Sequence, residues 1–114
     1  IRDRQDYESG VTAVRDLISQ GLYSKARSSL DKLQQRFGGD ASRQTELNQL
    51  KNRSFFLEYM SLGKRALEVN ELDVATGHLN NAKGKAQSEA EIQEVNELIL
   101  RVRQRKFERE SRTP

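Results

Sequence analysis

The sequence predicts an all-α fold of about five helices arranged as helical hairpins. Three observations support this prediction. The 114 residues include only seven glycines and a single proline, which is the last residue, so little interrupts a helix. Residues that favour helices, such as Glu, Lys, Arg, Gln, Leu and Ala, are abundant. Apolar residues recur at steps of three and four, the spacing of one helical face.

The first two predicted helices form a hairpin that turns at Gly21. One apolar face covers residues 7–18 and a second covers residues 23–37, with Gly21 between them. The pair Gly38-Gly39 follows the second face. We expect this pair to end the second helix, because glycine can adopt the left-handed conformation that often ends helices.

The third predicted helical region contains the most apolar part of the chain. Either Asp40 or Ser42 can cap its first turn. No Gly or Pro lies between Ala41 and Leu62, so residues 41–69 form either one long helix or two helices joined without a break. Both alternatives stay open at this point.

Two further helices are predicted after this region. A fourth apolar face covers residues 72–86, and a fifth covers residues 92–102. Ser88 precedes the fifth face and Glu91 follows three residues later, which is the spacing of a capping box. We therefore expect a helix to begin at Ser88.

Positive charge is concentrated at the C-terminal end. The net charge is +3, and residues 101–114 hold six Lys or Arg against two Glu, so the rest of the chain is close to neutral. We interpret residues 1–107 as a single α-helical repeat domain and residues 108–114 as a basic, frayed tail. If the last helix extends far enough, four arginines form a basic stripe: Arg101, Arg105, Arg109 and Arg112.

The chain also matches itself after a shift of about 49 positions. This shift places Gly21 on Asn70, at the two predicted turns, and Ala26 on Ala75, inside the second helix of each hairpin. A small residue at that place lets two helix backbones approach closely. The sequence therefore predicts two related hairpins, each followed by a further helix.

The second hairpin carries small and apolar residues at a characteristic spacing: Tyr59, Leu62, Gly63, Ala66, Ala75, Leu79 and Ala82. This pattern resembles the tetratricopeptide repeat (TPR), and a weaker match covers the first hairpin. The resemblance spans residues 11–38 and 59–87 and implies a TPR-like helical-repeat fold without catalysis. The chain lacks the family's closing proline and has a longer period, so residues 40–54 and 89–103 would add one helix to each unit.

The composition argues against most enzyme classes. The chain has no cysteine and a single histidine, His78, which excludes disulfides, thiolate metal sites and a His-His metal pair. No set of acid, base and nucleophile can be assembled from the sequence. No stretch approaches the roughly 18 apolar residues of a membrane span. We expect a non-enzymatic domain with no cofactor, no metal and no membrane span.

An aromatic cluster in the third helical region is the sharpest candidate for a binding site. Because Phe55 and Phe56 are adjacent, their side chains lie roughly 100° apart on a helix, and one of them can face outward to anchor a partner. The alternative is that the whole cluster is core. The predicted partner-binding residues are Phe55, Phe56, Tyr59, Lys64 and Arg65, with Tyr7 as a further groove residue.

These features predict a protein–protein interaction module, a scaffold or adaptor within a larger protein or complex. Stacked hairpins share one core and leave a groove that binds a segment of another protein. The alternative is a basic helical domain that binds nucleic acid or an anionic surface through the arginine-rich C-terminal helix. An exposed apolar strip could instead form a homodimer. The lack of cysteine fits the cytoplasm and the bacterial periplasm alike.

Overall fold

The structure, a computed structural model, describes residues 2–111, with side chains described from Asp3 onward. Within this range it contains five α-helices and no strand, which confirms the predicted all-α class. The helices are α1 (Arg2–Ser19), α2 (Tyr23–Phe37), α3 (Ala41–Glu68), α4 (Leu72–Lys85) and α5 (Glu89–Ser111).

Two helices, α3 and α5, are longer than the shortest helices that the sequence predicted for these regions. The region with two open alternatives, residues 41–69, is a single helix, α3, because no residue within it breaks the helical hydrogen bonding. The last helix, α5, continues past the predicted boundary at residue 107 and ends at Ser111. The remainder of the predicted tail, including Arg112, lies outside the described residues.

The chain divides into two compact units, Ile1–Phe55 (unit 1) and Phe56–Pro114 (unit 2), and the boundary falls within α3. Each unit is described here by itself. That residues 1–107 form one folding domain stays a prediction.

In unit 1, α1 packs against α2, and hydrogen bonds link both helices to the first half of α3. Gly10 gives the closest approach of α1 to α2, because a Cβ atom there would lie 2.5 Å from Leu33 Cδ2. The buried apolar residues of unit 1 are Tyr7, Val11, Val14, Ile18, Ala26, Leu30, Phe37, Leu47 and Leu50.

In unit 2, one apolar core joins the second half of α3 to α4 and α5. Gly63 lies against α4, since a Cβ atom there would be 2.7 Å from Leu79 Cδ2. The core consists of Phe56, Met60, Ala66, Leu67, Leu72, Ala75, Leu79, Ala82, Val95, Leu98 and Val102.

The two hairpin turns have the same backbone geometry. Gly21 has φ 79° and Asn70 has φ 61°, so both lie in the left-handed region. In the first turn the Leu22 N–H donates to Leu17 O at 2.9 Å, and in the second the Glu71 N–H donates to Ala66 O at 2.9 Å. These bonds end α1 and α3 in the Schellman pattern, which needs a left-handed residue that glycine or asparagine adopts most readily.

The second helix, α2, ends at Phe37, directly before Gly38-Gly39 as predicted, but neither glycine adopts the left-handed conformation. Gly38 has φ −71° and remains right-handed, and its N–H donates to Gln34 O, which continues the hydrogen-bond pattern of α2. Gly39 has no positive φ either. The helix therefore ends without a left-handed residue, and the next helix begins within a few residues.

Side chains cap the starts of α3 and α5. Asp40 Oδ1 accepts hydrogen bonds from the N–H groups of Ser42 at 2.8 Å and Arg43 at 3.1 Å, so the cap is Asp40 and not Ser42. Ser88 Oγ accepts the Glu91 N–H at 3.2 Å, which confirms the predicted cap of α5.

Candidate interaction surface

The two adjacent phenylalanines have different environments. Phe56 is 0% exposed and belongs to the core of unit 2, so the prediction that it anchors a partner is wrong. Phe55 is half-buried in unit 1, and the Arg27 guanidinium lies 4.1 Å from the centroid of its ring. The same guanidinium lies 3.5 Å from the hydroxyl of Ser54, which is buried. Phe55 is therefore part of a local cation–π contact.

The other predicted partner-binding residues on α3 do not form one patch. Tyr59 is half-buried and stacks on His78, with ring centroids 6.5 Å apart. Lys64 and Arg65 are exposed. Because successive helical residues are about 100° apart, Tyr59, Lys64 and Arg65 point in three different directions around α3. The structure does not bring them to a common face.

Tyr7 is a largely buried residue of unit 1 that also lines two open clefts of that unit, so its role in partner binding stays a prediction. Its hydroxyl donates to the Glu46 carboxylate, and its ring packs edge-on against Phe37 with centroids 5.4 Å apart. The Arg43 guanidinium lies 4.6 Å from the Tyr7 ring centroid and pairs with Asp3. Burial and the Glu46 carboxylate raise the pKa of Tyr7 to about 12.

The predicted basic stripe is interrupted at its centre. Arg105 Nη1 donates to Leu67 O at 2.5 Å and lies 3.4 Å from Asn70 Oδ1, so this side chain binds the C-terminal end of α3. Arg101 and Arg109 are exposed. The guanidinium of Arg105 is thus already engaged within unit 2, and the stripe does not present all of its charges to a ligand.

A surface that the sequence analysis missed lies between α4 and α5. It is an open groove of about 490 Å³, lined by Thr76, Asn80, Lys83, Asn96, Ile99, Leu100, Val102, Arg103 and Lys106. The aliphatic residues of the lining all lie on α5, whereas both helices contribute cationic side chains. We call this surface the α4–α5 groove.

Three large apolar side chains are exposed along α5: Ile92 and the two that are most exposed, Leu100 and Phe107. Leu100 is 54% exposed and lines the groove, and Phe107 is 71% exposed. They lie about two helical turns apart and point in nearly the same direction. The sequence pattern indicated this exposure, because both residues lie off the helical face that carries the buried residues Val95 and Val102.

Unit 1 has a different arrangement at the matching place. The shift of about 49 positions that aligns the hairpins places Asp31 on Asn80 and Lys51 on Leu100. In unit 1, Lys51 Nζ and Asp31 Oδ1 form an ion pair at 3.5 Å that joins α2 to α3. In unit 2 the matching residues, Asn80 and Leu100, line the open groove.

Among the described residues, no three His, Asp or Glu side chains are placed to hold a metal ion. No described helix is both long and apolar enough to span a membrane. Comparisons of the chain with protein-family models, with curated proteins and with solved structures found no match.

Proposed function

We propose that this chain is a non-enzymatic protein–protein interaction module whose α4–α5 groove binds a segment of another protein. The observation that carries the proposal is the exposed apolar strip of α5, formed by Leu100 and Phe107 beside the groove. Burial of large side chains of this kind against a partner is favourable, and apolar anchors dominate the binding energy of many interfaces. A scaffold or adaptor role follows from this mode of action.

We also propose that the framework is a TPR-like helical repeat. The support is the shared geometry of the two hairpins: Gly21 and Asn70 are both left-handed, and Ala26 and Ala75 are both fully buried at matching places. A small buried residue at this position holds the paired helices close together. Repeated hairpins of this kind present grooves between neighbouring helices.

Nucleic-acid binding through the C-terminal arginines is the less favoured function. Arg105 is engaged by the end of α3, and none of the described residues that line the α4–α5 groove is an aromatic residue that could stack on a base. The same experiment distinguishes both functions.

The experiment is capture of partners from a lysate of the parent organism, without and with nuclease, using the wild-type chain and two variants as bait. Leu100→Ser removes an apolar side chain from the groove. Val74→Ser is the matched control, because Val74 is 48% exposed on α4 and does not line the groove. We expect a defined protein that is retained by wild type and by Val74→Ser and is lost with Leu100→Ser.

Salt separates the two functions further. Contacts between apolar side chains are little screened, so the captured protein should stay bound when salt is raised from about 0.1 M to about 0.5 M. Equal binding by all three baits without nuclease, together with loss of all bound material when nuclease is added, would reject the proposed function in favour of nucleic-acid binding.

A further inference from the structure

The charged residues that line the α4–α5 groove all carry positive charge. Its charged lining residues are Lys83 on α4 and Arg103 and Lys106 on α5, and no Asp or Glu is among the described residues that line it. Lys106 Nζ is paired with Asp73 at 2.7 Å, and this ion pair lowers the pKa of Asp73. A ligand in the groove therefore meets a cationic rim.

Two of these cations are not engaged elsewhere. Within residues 2–111, neither the Lys83 ammonium group nor the Arg103 guanidinium has a hydrogen-bond or ion-pair partner. They come from opposite walls of the groove, so their charges flank whatever lies between α4 and α5. Carboxylates are the natural partners of these side chains, and arginine binds a carboxylate through two parallel hydrogen bonds.

The uncharged lining suits a polypeptide. Ile99, Leu100 and Val102 supply apolar contact area, and Asn80 and Asn96 stand on opposite walls. An asparagine side chain has both a donor and an acceptor, which match the C=O and N–H of a peptide group. A nucleic acid has no aliphatic side chains to cover this apolar surface, whereas a protein segment does.

We infer, building on the proposed function, that the occupant of the α4–α5 groove is an acidic segment of another protein that carries large apolar side chains. Its apolar side chains pack on Ile99 and Leu100, and its carboxylates pair with Lys83 and Arg103. The charge of the rim selects the acidic segment over a basic one, and the apolar surface selects a protein over a simple polyanion.

Two pools of synthetic peptides of about 15 residues test this inference, a length comparable to that of α4. Both pools have the same apolar positions, filled with Leu, Ile or Phe. The remaining positions are Asp or Glu in the acidic pool and Lys or Arg in the basic pool. Binding of each labelled pool to the full chain is measured by fluorescence anisotropy. We expect the acidic pool to bind about tenfold more tightly, as two partly exposed ion pairs allow.

Three variants locate the effect. The double variant Lys83→Glu with Arg103→Glu should reverse the preference, so that the basic pool binds more tightly. Arg101→Glu is the matched control, because Arg101 is exposed on the same helix and does not line the groove, and it should leave the preference unchanged.

The third variant, Asn80→Asp with Leu100→Lys, installs the ion pair of unit 1 in unit 2. Because unit 1 contains this pair in a folded hairpin, the variant should keep its helical circular dichroism spectrum and bind neither pool. The circular dichroism spectrum shows whether the variant is still helical, so loss of binding by a folded variant is distinguished from loss of the fold.

The outcomes separate the inference from the proposed function. Equal binding of both pools, abolished by the Asn80→Asp/Leu100→Lys variant, would overturn the acidic partner and leave peptide binding in the groove intact. Failure of the acidic pool to bind would overturn the inference, and failure of both pools would overturn peptide binding as well. Polyuridylate serves as the nucleic-acid probe. If it displaces the peptide and binds the Asn80→Asp/Leu100→Lys variant as tightly as the wild-type chain, nucleic-acid binding would be favoured. Concentration-dependent dimers that this variant abolishes would assign the groove to a second copy of the chain.

Discussion

Replacement of Gly63 by alanine tests how closely α3 and α4 pack in unit 2. The new Cβ atom would lie 2.7 Å from Leu79 Cδ2 and 2.9 Å from Leu79 Cγ, and Leu79 is fully buried. Alanine gains about 1 kcal/mol over glycine in a helix interior, whereas overpacking a core costs about 1–3 kcal/mol. We therefore expect Gly63→Ala to lower the free energy of unfolding by about 0–2 kcal/mol.

Gly77 on α4 is the matched control. It is also a helical glycine, but a Cβ atom there would meet nothing within 4 Å. Gly77→Ala should therefore raise the free energy of unfolding by about 1 kcal/mol, the full gain in helix propensity. Urea denaturation followed by far-UV circular dichroism measures both variants. Equal stabilisation by Gly63→Ala and Gly77→Ala would refute the close approach of α3 to α4.

A double-mutant cycle assigns the effect to one contact. Leu79→Ala alone should cost about 2–5 kcal/mol because it leaves a cavity. In the Leu79→Ala background, the methyl group of Gly63→Ala has room and partly fills that cavity, so the double variant should be more stable than the sum of the two single effects predicts. Additive effects would mean that Gly63 and Leu79 do not touch.

Three further predictions concern other parts of the fold. Phe56→Ala should cost about 3–5 kcal/mol in urea denaturation because Phe56 is in the core, and the half-buried Phe55 should cost clearly less on the same change. The folded-state pKa of Tyr7 is raised to about 12 from the ordinary value of about 10. The unfolded chain therefore releases this proton first, and the stability that the protonated Tyr7 provides should be complete below pH 10 and lost between about pH 10 and 12; a matched urea series should show that Tyr7→Phe removes this part of the pH dependence. Gly21→Ala should cost about 1–2 kcal/mol because φ there is 79°, whereas Gly39→Ala, at a residue without positive φ, should cost almost nothing.

Local features of the fold were predictable from the sequence. The five helices follow from the recurrence of apolar residues, and the start of α5 follows from the capping pair Ser88 and Glu91. The position where α2 ends was also predictable, but the conformation of the glycines that follow it was not. A Gly-Gly pair permits the left-handed conformation but does not require it, and Gly38 remains right-handed because its N–H still finds the Gln34 carbonyl.

The candidate site depends on contacts between residues far apart in the chain. The periodicity of apolar residues along the sequence does not predict such contacts. The spacing of Arg101, Arg105 and Arg109 indicates a stripe on one helix, yet Arg105 binds the Leu67 carbonyl of another helix. Phe55 and Phe56 are the same residue type, so the sequence does not tell which of them is buried. The packing of unit 2 places Phe56 in the core. The α4–α5 groove combines Lys83 with Arg103, and no local pattern joins these residues.

The comparison of the two units separates residues that the hairpin fold requires from exposed residues that differ between the units. Ala26 and Ala75 are both fully buried, and Gly21 and Asn70 are both left-handed, because the close packing and the turn of a hairpin allow few alternatives. Exposed positions carry no such constraint. The place where Asp31 and Lys51 form an ion pair in unit 1 is occupied in unit 2 by Asn80 and the exposed Leu100. The fold of unit 2 does not require a leucine at position 100, and the proposed function accounts for its exposure as contact with a partner segment.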